Sequence, residues 1–175
     1  MDTGRLEISI MPPADEIPIG RGFYQLEEDT LYVQLAPYDP AHRFFNYLES
    51  DLIRFDLDKH GMLLFVEIRE ARRRWEVVEK LTVPHYAQPS DIRWLDFRAA
   101  LPPARFFTNP DRDLLMVEFS DRPATSSYQP AWSVIVDCDD TGCVARIWVT
   151  DIVDDLAGQD IAAFRKSRPD PPPQA

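Results

Sequence analysis

Five residues in one short stretch stand at the spacing that calcium chemistry uses. Asp56, Asp58, His60, Gly61 and Glu67 fall at the first, third, fifth, sixth and twelfth places of an EF-hand loop. There, carboxylate oxygens, a sharp glycine turn and a closing bidentate Glu surround a hard cation. Three features oppose that chemistry here. The fifth place is His, a poor ligand for calcium. The flanks Leu52–Phe55 and Met62–Ile68 read as strands, where an EF-hand needs helices. A second stretch, Asp137-Cys-Asp139-Asp-Thr-Gly142, repeats the turn residues but has Trp148 where the first has Glu67. The pattern is read as a hairpin turn, in which short Asp side chains bond the local backbone and Gly accepts positive φ. No metal is expected.

Other candidate chemistry is thinner. His42, His60 and His85 are far apart and stand in loops. A chain with 6 glycines holds no Gly-x-Ser-x-Gly and no phosphate-cradling loop, so no catalytic residue and no cofactor is expected. The run Arg72-Arg73-Arg74-Trp75 offers guanidinium forks and an indole to an acidic group or a nucleotide. Its alternative is the exposed start of a strand, balanced by Glu67, Glu70, Glu76 and Glu79. Phe44, Phe45 and Tyr47 either plug the sheet or form an aromatic partner patch. These seven residues are the candidate partner-binding set. Cys138 and Cys143 flank a turn, as two small apolar residues in a reduced cytosol or as a disulfide across the hairpin.

The segments that would position these residues occur twice. Leu31-Tyr-Val-Gln-Leu35 is matched by Leu115-Met-Val-Glu-Phe119, 84 positions later, and Ile53–Ile68 by Val134–Val149, 81 later. The repetition predicts a mainly β fold of the α+β kind: two pseudo-symmetric antiparallel β units with short helices. The first unit spans 1–82, a linker with Pro84 and Pro89 spans 83–90, and the second spans 91–167. The Pro-rich tail 168–175 is expected to be extended or disordered. Further strands are expected at Leu6–Ile10, Phe23–Leu26, Trp75–Leu81, Trp94–Phe97 and Arg105–Thr108. Asp39-Pro40 would start a short helix through Phe44 and Tyr47. Ile152, Leu156, Ile161 and Phe164 predict a C-terminal helix over 151–167.

The run Leu31-Tyr-Val-x-Leu35, a loop, then an apolar strand, Asp-x-Asp-x-x-Gly and a strand ending Val66-Glu-Ile68 resembles a family of short bacterial proteins. That family is known only as a domain of unknown function, and its members look like single units. The resemblance covers 28–71 and 111–152. It departs at Phe65 and Arg146, where the family has Gly, and at Trp148. It implies a fold, as a tandem duplication, and no activity.

The net charge is −11 over 175 residues. It is even along the chain: 10 basic and 16 acidic residues precede position 91, and 9 and 14 follow. Such a field opposes nucleic acid and anionic lipid, which need Lys/Arg footprints, and favours a basic protein partner. No apolar run reaches the roughly 18–20 residues that cross a bilayer. Met1–Ile10 lacks a basic start leading into an apolar core, so a cytoplasmic protein is expected. Together these features predict a non-enzymatic, acidic protein-binding or regulatory protein of the antitoxin, immunity or inhibitor kind. The alternative is an enzyme or metal binder using turn carboxylates between the repeats.

Overall fold

The computed structural model describes residues 6–35, 45–96 and 99–155. In chain order the strands begin with β1 (Ile8–Met11), β2 (Arg21–Gln25), β3 (Thr30–Gln34), β4 (Asn46–Glu49), β5 (Ile53–Leu57) and β6 (Leu63–Ile68). A 3-10 turn over Arg72–Arg74 follows, then β7 (Glu76–Val77), β8 (Gln88–Pro89), β9 (Asp91–Trp94) and β10 (Ala99–Ala100). The chain continues with β11 (Arg105–Thr108), β12 (Leu115–Glu118), β13 (Ser126–Ala131), β14 (Val134–Cys138), β15 (Val144–Val149) and β16 (Val153–Asp154). The protein is mainly β, and among the described residues the 3-10 turn is the one helical element.

Two seven-stranded sheets run β10-β4-β5-β6-β3-β2-β16 and β7-β11-β12-β15-β14-β13-β8. The central five strands of each have the same order, and their registers match except where β13 shifts against β14 between Tyr128 and Ala131. Tyr32 opposes Glu67 in the first sheet, as Met116 opposes Trp148 in the second. Asp56 opposes Phe65 as Asp137 opposes Arg146, and each sheet has a bulge immediately after that aspartate. The 84- and 81-residue spacings are therefore spatial correspondences.

Alternation along the strands supplies the core. Leu31, Val33, Phe55, Val66 and Ile68 of the first sheet and Leu115, Val117, Val136, Ile147 and Val149 of the second join one buried apolar cluster. The outer face of the second sheet (Phe107, Met116, Ile135, Trp148) is covered by Val78, Leu81, Val83 and Ala87. The stretch expected as a linker thus packs as a cover and ends in β8. The antiparallel ribbon β1–β9 pairs Ile8 with Trp94.

Two expected helices are corrected. Tyr47 lies in β4 opposite Asp56, and Asp39–Phe44 fall outside the described residues. The start of the C-terminal helix is a strand: Asp151 turns with φ 56°, and Val153–Asp154 pair in parallel with β2. Backbone donors there serve the sheet, with Ile152 N–H bonding Asp113 O (3.0 Å) and Asp155 N–H bonding Tyr24 O (3.0 Å). Residues 156–167 fall outside the described residues. The strand expected over Trp75–Leu81 is shortened to Glu76–Val77, because Trp75 turns into the core at 2 % exposure.

Gly61 and Gly142 both turn with positive φ, 84° and 80°. A Cβ on Gly61 would meet Trp94 O at 2.3 Å, while one on Gly142 would meet nothing within 4 Å. Gly142→Ala is expected to cost about 1–2 kcal/mol for the left-handed backbone alone. Gly61→Ala should cost more, because the β6 turn must also part from β9. Urea denaturation of both variants checks this, and equal losses would contradict it.

Candidate functional site

The paired turns are built by their own aspartates. Asp58 Oδ1 accepts the backbone N–H of His60 (2.8 Å) and Met62 (2.9 Å). Asp139 Oδ1 accepts the Thr141 N–H (2.9 Å), the Thr141 hydroxyl (2.6 Å) and the Cys143 N–H (3.1 Å). Such bonds close a turn without a cation. Asp56 pairs with Arg54 Nε at 3.0 Å. Its counterpart Asp137 instead accepts the Ser127 hydroxyl (2.6 Å) and the Trp148 indole N–H (2.8 Å). Glu67 faces Arg54 across β5–β6 and bonds Arg69 at 3.4 Å. Among the described residues no three His, Cys, Asp or Glu side chains gather as metal ligands. His60 and His85 are exposed; His42 lies outside the described residues.

The basic run is tied to the molecule at Arg72 and Trp75, while the Arg73 and Arg74 side chains are 63 % and 71 % exposed, Arg74 lying 4.0 Å from Glu70. The Arg72 guanidinium lies 4.4 Å from the centre of the Tyr24 ring and bonds Asp154 on β16 at 2.6 Å. Arg72 N–H donates to the Tyr24 hydroxyl (2.9 Å), which donates in turn to Asp29 (3.1 Å). Arg73 bonds Asp29 at 2.7 Å, and this bond, with the Tyr24 hydroxyl, holds the Asp29 carboxyl below its ordinary pKa. Trp75 stands edge-on to Tyr24 at 5.9 Å and donates its indole N–H to Glu70 O. The cluster therefore clasps β16 to β2, and the Trp75 ring is a core residue with no face offered to a partner. Of the aromatic set, Phe45 is half exposed and Tyr47 carries the Arg54 guanidinium 4.8 Å from its ring centre. Phe44 lies outside the described residues.

Three exposed apolar side chains meet at a different place. Ile19, Trp132 and Val153, 68 %, 48 % and 50 % exposed, line one hollow of about 230 Å³ with Arg21, Phe23 and Asp151. Trp132 sits at the β13–β14 turn, held because its N–H donates to Pro18 O (2.9 Å) and Ser133 N–H to Ile19 O (3.0 Å). Gly20 permits this approach: a Cβ there would meet Ser133 Oγ at 2.5 Å. The hollow thus joins three segments distant in sequence, and no local spacing marks it. The isolated Trp132 between Ala131 and Ser133 is its one sequence signal.

Cys138 and Cys143 are both buried free thiols. Burial, with the charges of Asp139 and Asp137 beside it, pushes the Cys138 thiol up to about 12. It stays protonated and unreactive in the folded protein.

A larger cleft of about 330 Å³ lies beside the β1–β9 ribbon, walled by Leu35, Leu63, Ile92, Trp94 and Val136 and edged by Asp15, Glu16, Asp91 and Arg93. No protein-family model matches the chain, and no curated protein matches it. Among the described residues no helix is long and apolar enough to cross a membrane.

Burial raises the Asp139 carboxyl, but the Thr141 and Cys143 hydrogen bonds and the Arg122 charge together outweigh it and hold the group below its ordinary pKa. A depressed carboxylate stabilises the fold above its unfolded pKa and loses that contribution as pH falls through the folded value. Asp139→Ala should cost about 1–2 kcal/mol at neutral pH. It should also flatten the fall in stability below roughly pH 4, the ordinary carboxylate range. Urea titrations across this range check both, and an unchanged pH slope would contradict the assignment.

Proposed function

We propose that this chain is a non-enzymatic binding protein, built as a tandem duplication, that takes a basic protein partner on the hollow around Trp132. The observation that carries the reading is the gathering of Ile19, Trp132 and Val153, each about half exposed or more, around one concavity. Aromatic and arginine side chains in a hollow are the usual anchors of protein interfaces, and Arg21 lines the same hollow as Trp132. The even charge of −11 supplies the second half of the reading. A negative field speeds encounter with a cationic partner while the apolar anchors set the lifetime of the complex. It also disfavours nucleic acid and anionic membrane surfaces as partners. The two buried thiols fit the reducing cytoplasm. The clasped Arg72–Trp75 run is not part of this surface.

Co-purification from the native host at low salt tests the reading. The wild-type chain should recover one protein with a net positive charge. Recovery should fall as salt rises, because screening shortens the reach of the field. Trp132→Ala should lower affinity at least roughly 30-fold, as loss of a central anchor worth about 2 kcal/mol does, with the denaturation midpoint unchanged. No partner, or equal recovery by the variant, would contradict the reading.

A further inference from the structure

The two sheets differ at one place where their matched positions lead one to expect the same core. Leu35 and Phe119 are counterparts: Leu35 N–H donates to Leu64 O, and Phe119 N–H to Ala145 O. Val136 and Phe55 are counterparts in the same registers of β14 and β5. On one side of the shared core Phe55 of the first half meets Phe119 of the second, with their rings edge to face at 6.4 Å and Trp94 a further 5.1 Å from Phe55. On the other side the corresponding residues are Leu35 of the first half and Val136 of the second, and both line the cleft. The fold itself therefore does not require the cleft. The same strand positions accept two phenylalanines, and smaller side chains forgo the dispersion contacts that larger ones would make.

The edge of the cleft has its own chemistry. Arg93 and Asp91 bond each other at 2.8 Å, which neutralises the pair. The Asp91 Oδ1 and Arg93 Nε atoms nevertheless lie buried without a hydrogen-bond partner. Asp15 and Glu16, both exposed, add two further carboxylates at the edge. The volume of about 330 Å³ lies at the small end of ligand-site volumes, and apolar walls with a few convergent polar groups are their usual lining.

We infer that this cleft is a binding site for a small organic cation. An apolar body sits between Leu35, Leu63, Ile92 and Val136, and an ammonium group faces the carboxylates of Asp15 and Glu16 at the edge. The site is independent of the Trp132 hollow and requires no protein partner.

Titration of the ¹⁵N-labelled full chain with phenethylammonium, 2-phenylethanol and 3-phenylpropionate tests this. The three probes share a body and differ in charge. Phenethylammonium should shift the amides of Ile92, Arg93 and Trp94 with millimolar affinity, roughly ten-fold tighter than the anion, since one near-surface charge contact is worth about that ratio. Asp15→Asn with Glu16→Gln should remove most of that preference and leave 2-phenylethanol unaffected. Leu35→Phe, and separately Val136→Phe, should abolish binding of all three; each installs the side chain that the other half already holds. The circular-dichroism spectrum of each variant confirms that it is folded. Trp132→Ala should leave binding unchanged. Equal affinity for the three probes, no shifts at 92–94, or undiminished binding by both folded phenylalanine variants would each overturn the inference.

Discussion

The backbone groups along the outer edges of β2 and β11 need partners, and each edge finds them in chain from the other half. Val153–Asp154, which follow the second sheet in sequence, pair in parallel with β2 of the first. Glu76–Val77, which follow the first sheet, pair in parallel with β11 of the second. The exchange is reciprocal down to its last bond. Asp155 N–H donates to Tyr24 O (3.0 Å), and at the corresponding place Val78 N–H donates to Thr108 O (2.8 Å). An unpaired edge invites association with other chains. Here each half covers an edge of the other, and a common core lies between. The Arg72–Tyr24–Asp154 clasp fastens one of these two exchanges.

That constraint explains several residues that resemble chemistry in isolation. The change from Glu67 to Trp148 between matched strands follows from what covers each sheet. In the first, Arg54 opposes Glu67. In the second, Ile135 opposes Trp148, and residues 78–87 lie over that apolar pair. The tryptophan keeps one polar partner, Asp137, for its indole N–H, as a buried indole requires.

Legibility in the sequence followed the range of the interactions. The two Asp-x-Asp-x-x-Gly hairpins could be read because their bonds close within four residues, Asp58 to Met62 and Asp139 to Cys143. β11 was readable over Arg105–Thr108 from its own residues. β13 was not, since Ser126–Ala131 is polar and contains Pro130. It is a strand because β14 needs a partner, and Pro130 is admitted where the register shifts between Tyr128 and Ala131. The helical spacing read from Ile152 gave way, over the described residues 152–155, to the open edge of β2. Trp75 looked exposed beside three arginines and is buried because the core lies within reach of the 3-10 turn. The hollow and the cleft were illegible for one reason: each joins segments tens of residues apart. The one trace of the cleft in the sequence is the size difference between Leu35 and Phe119 and between Val136 and Phe55.

Reciprocal edges and a common core imply that the two sheets open together. Native-state hydrogen exchange across a denaturant series measures this directly, since each amide reports the smallest opening that exposes it. Val33 and Val66 in the first sheet and Val117 and Ile147 in the second should exchange with one free energy and one denaturant slope, those of global unfolding. A set of amides confined to one sheet that exchanges with a lower free energy and a smaller slope would show that the halves unfold separately, and would contradict this account.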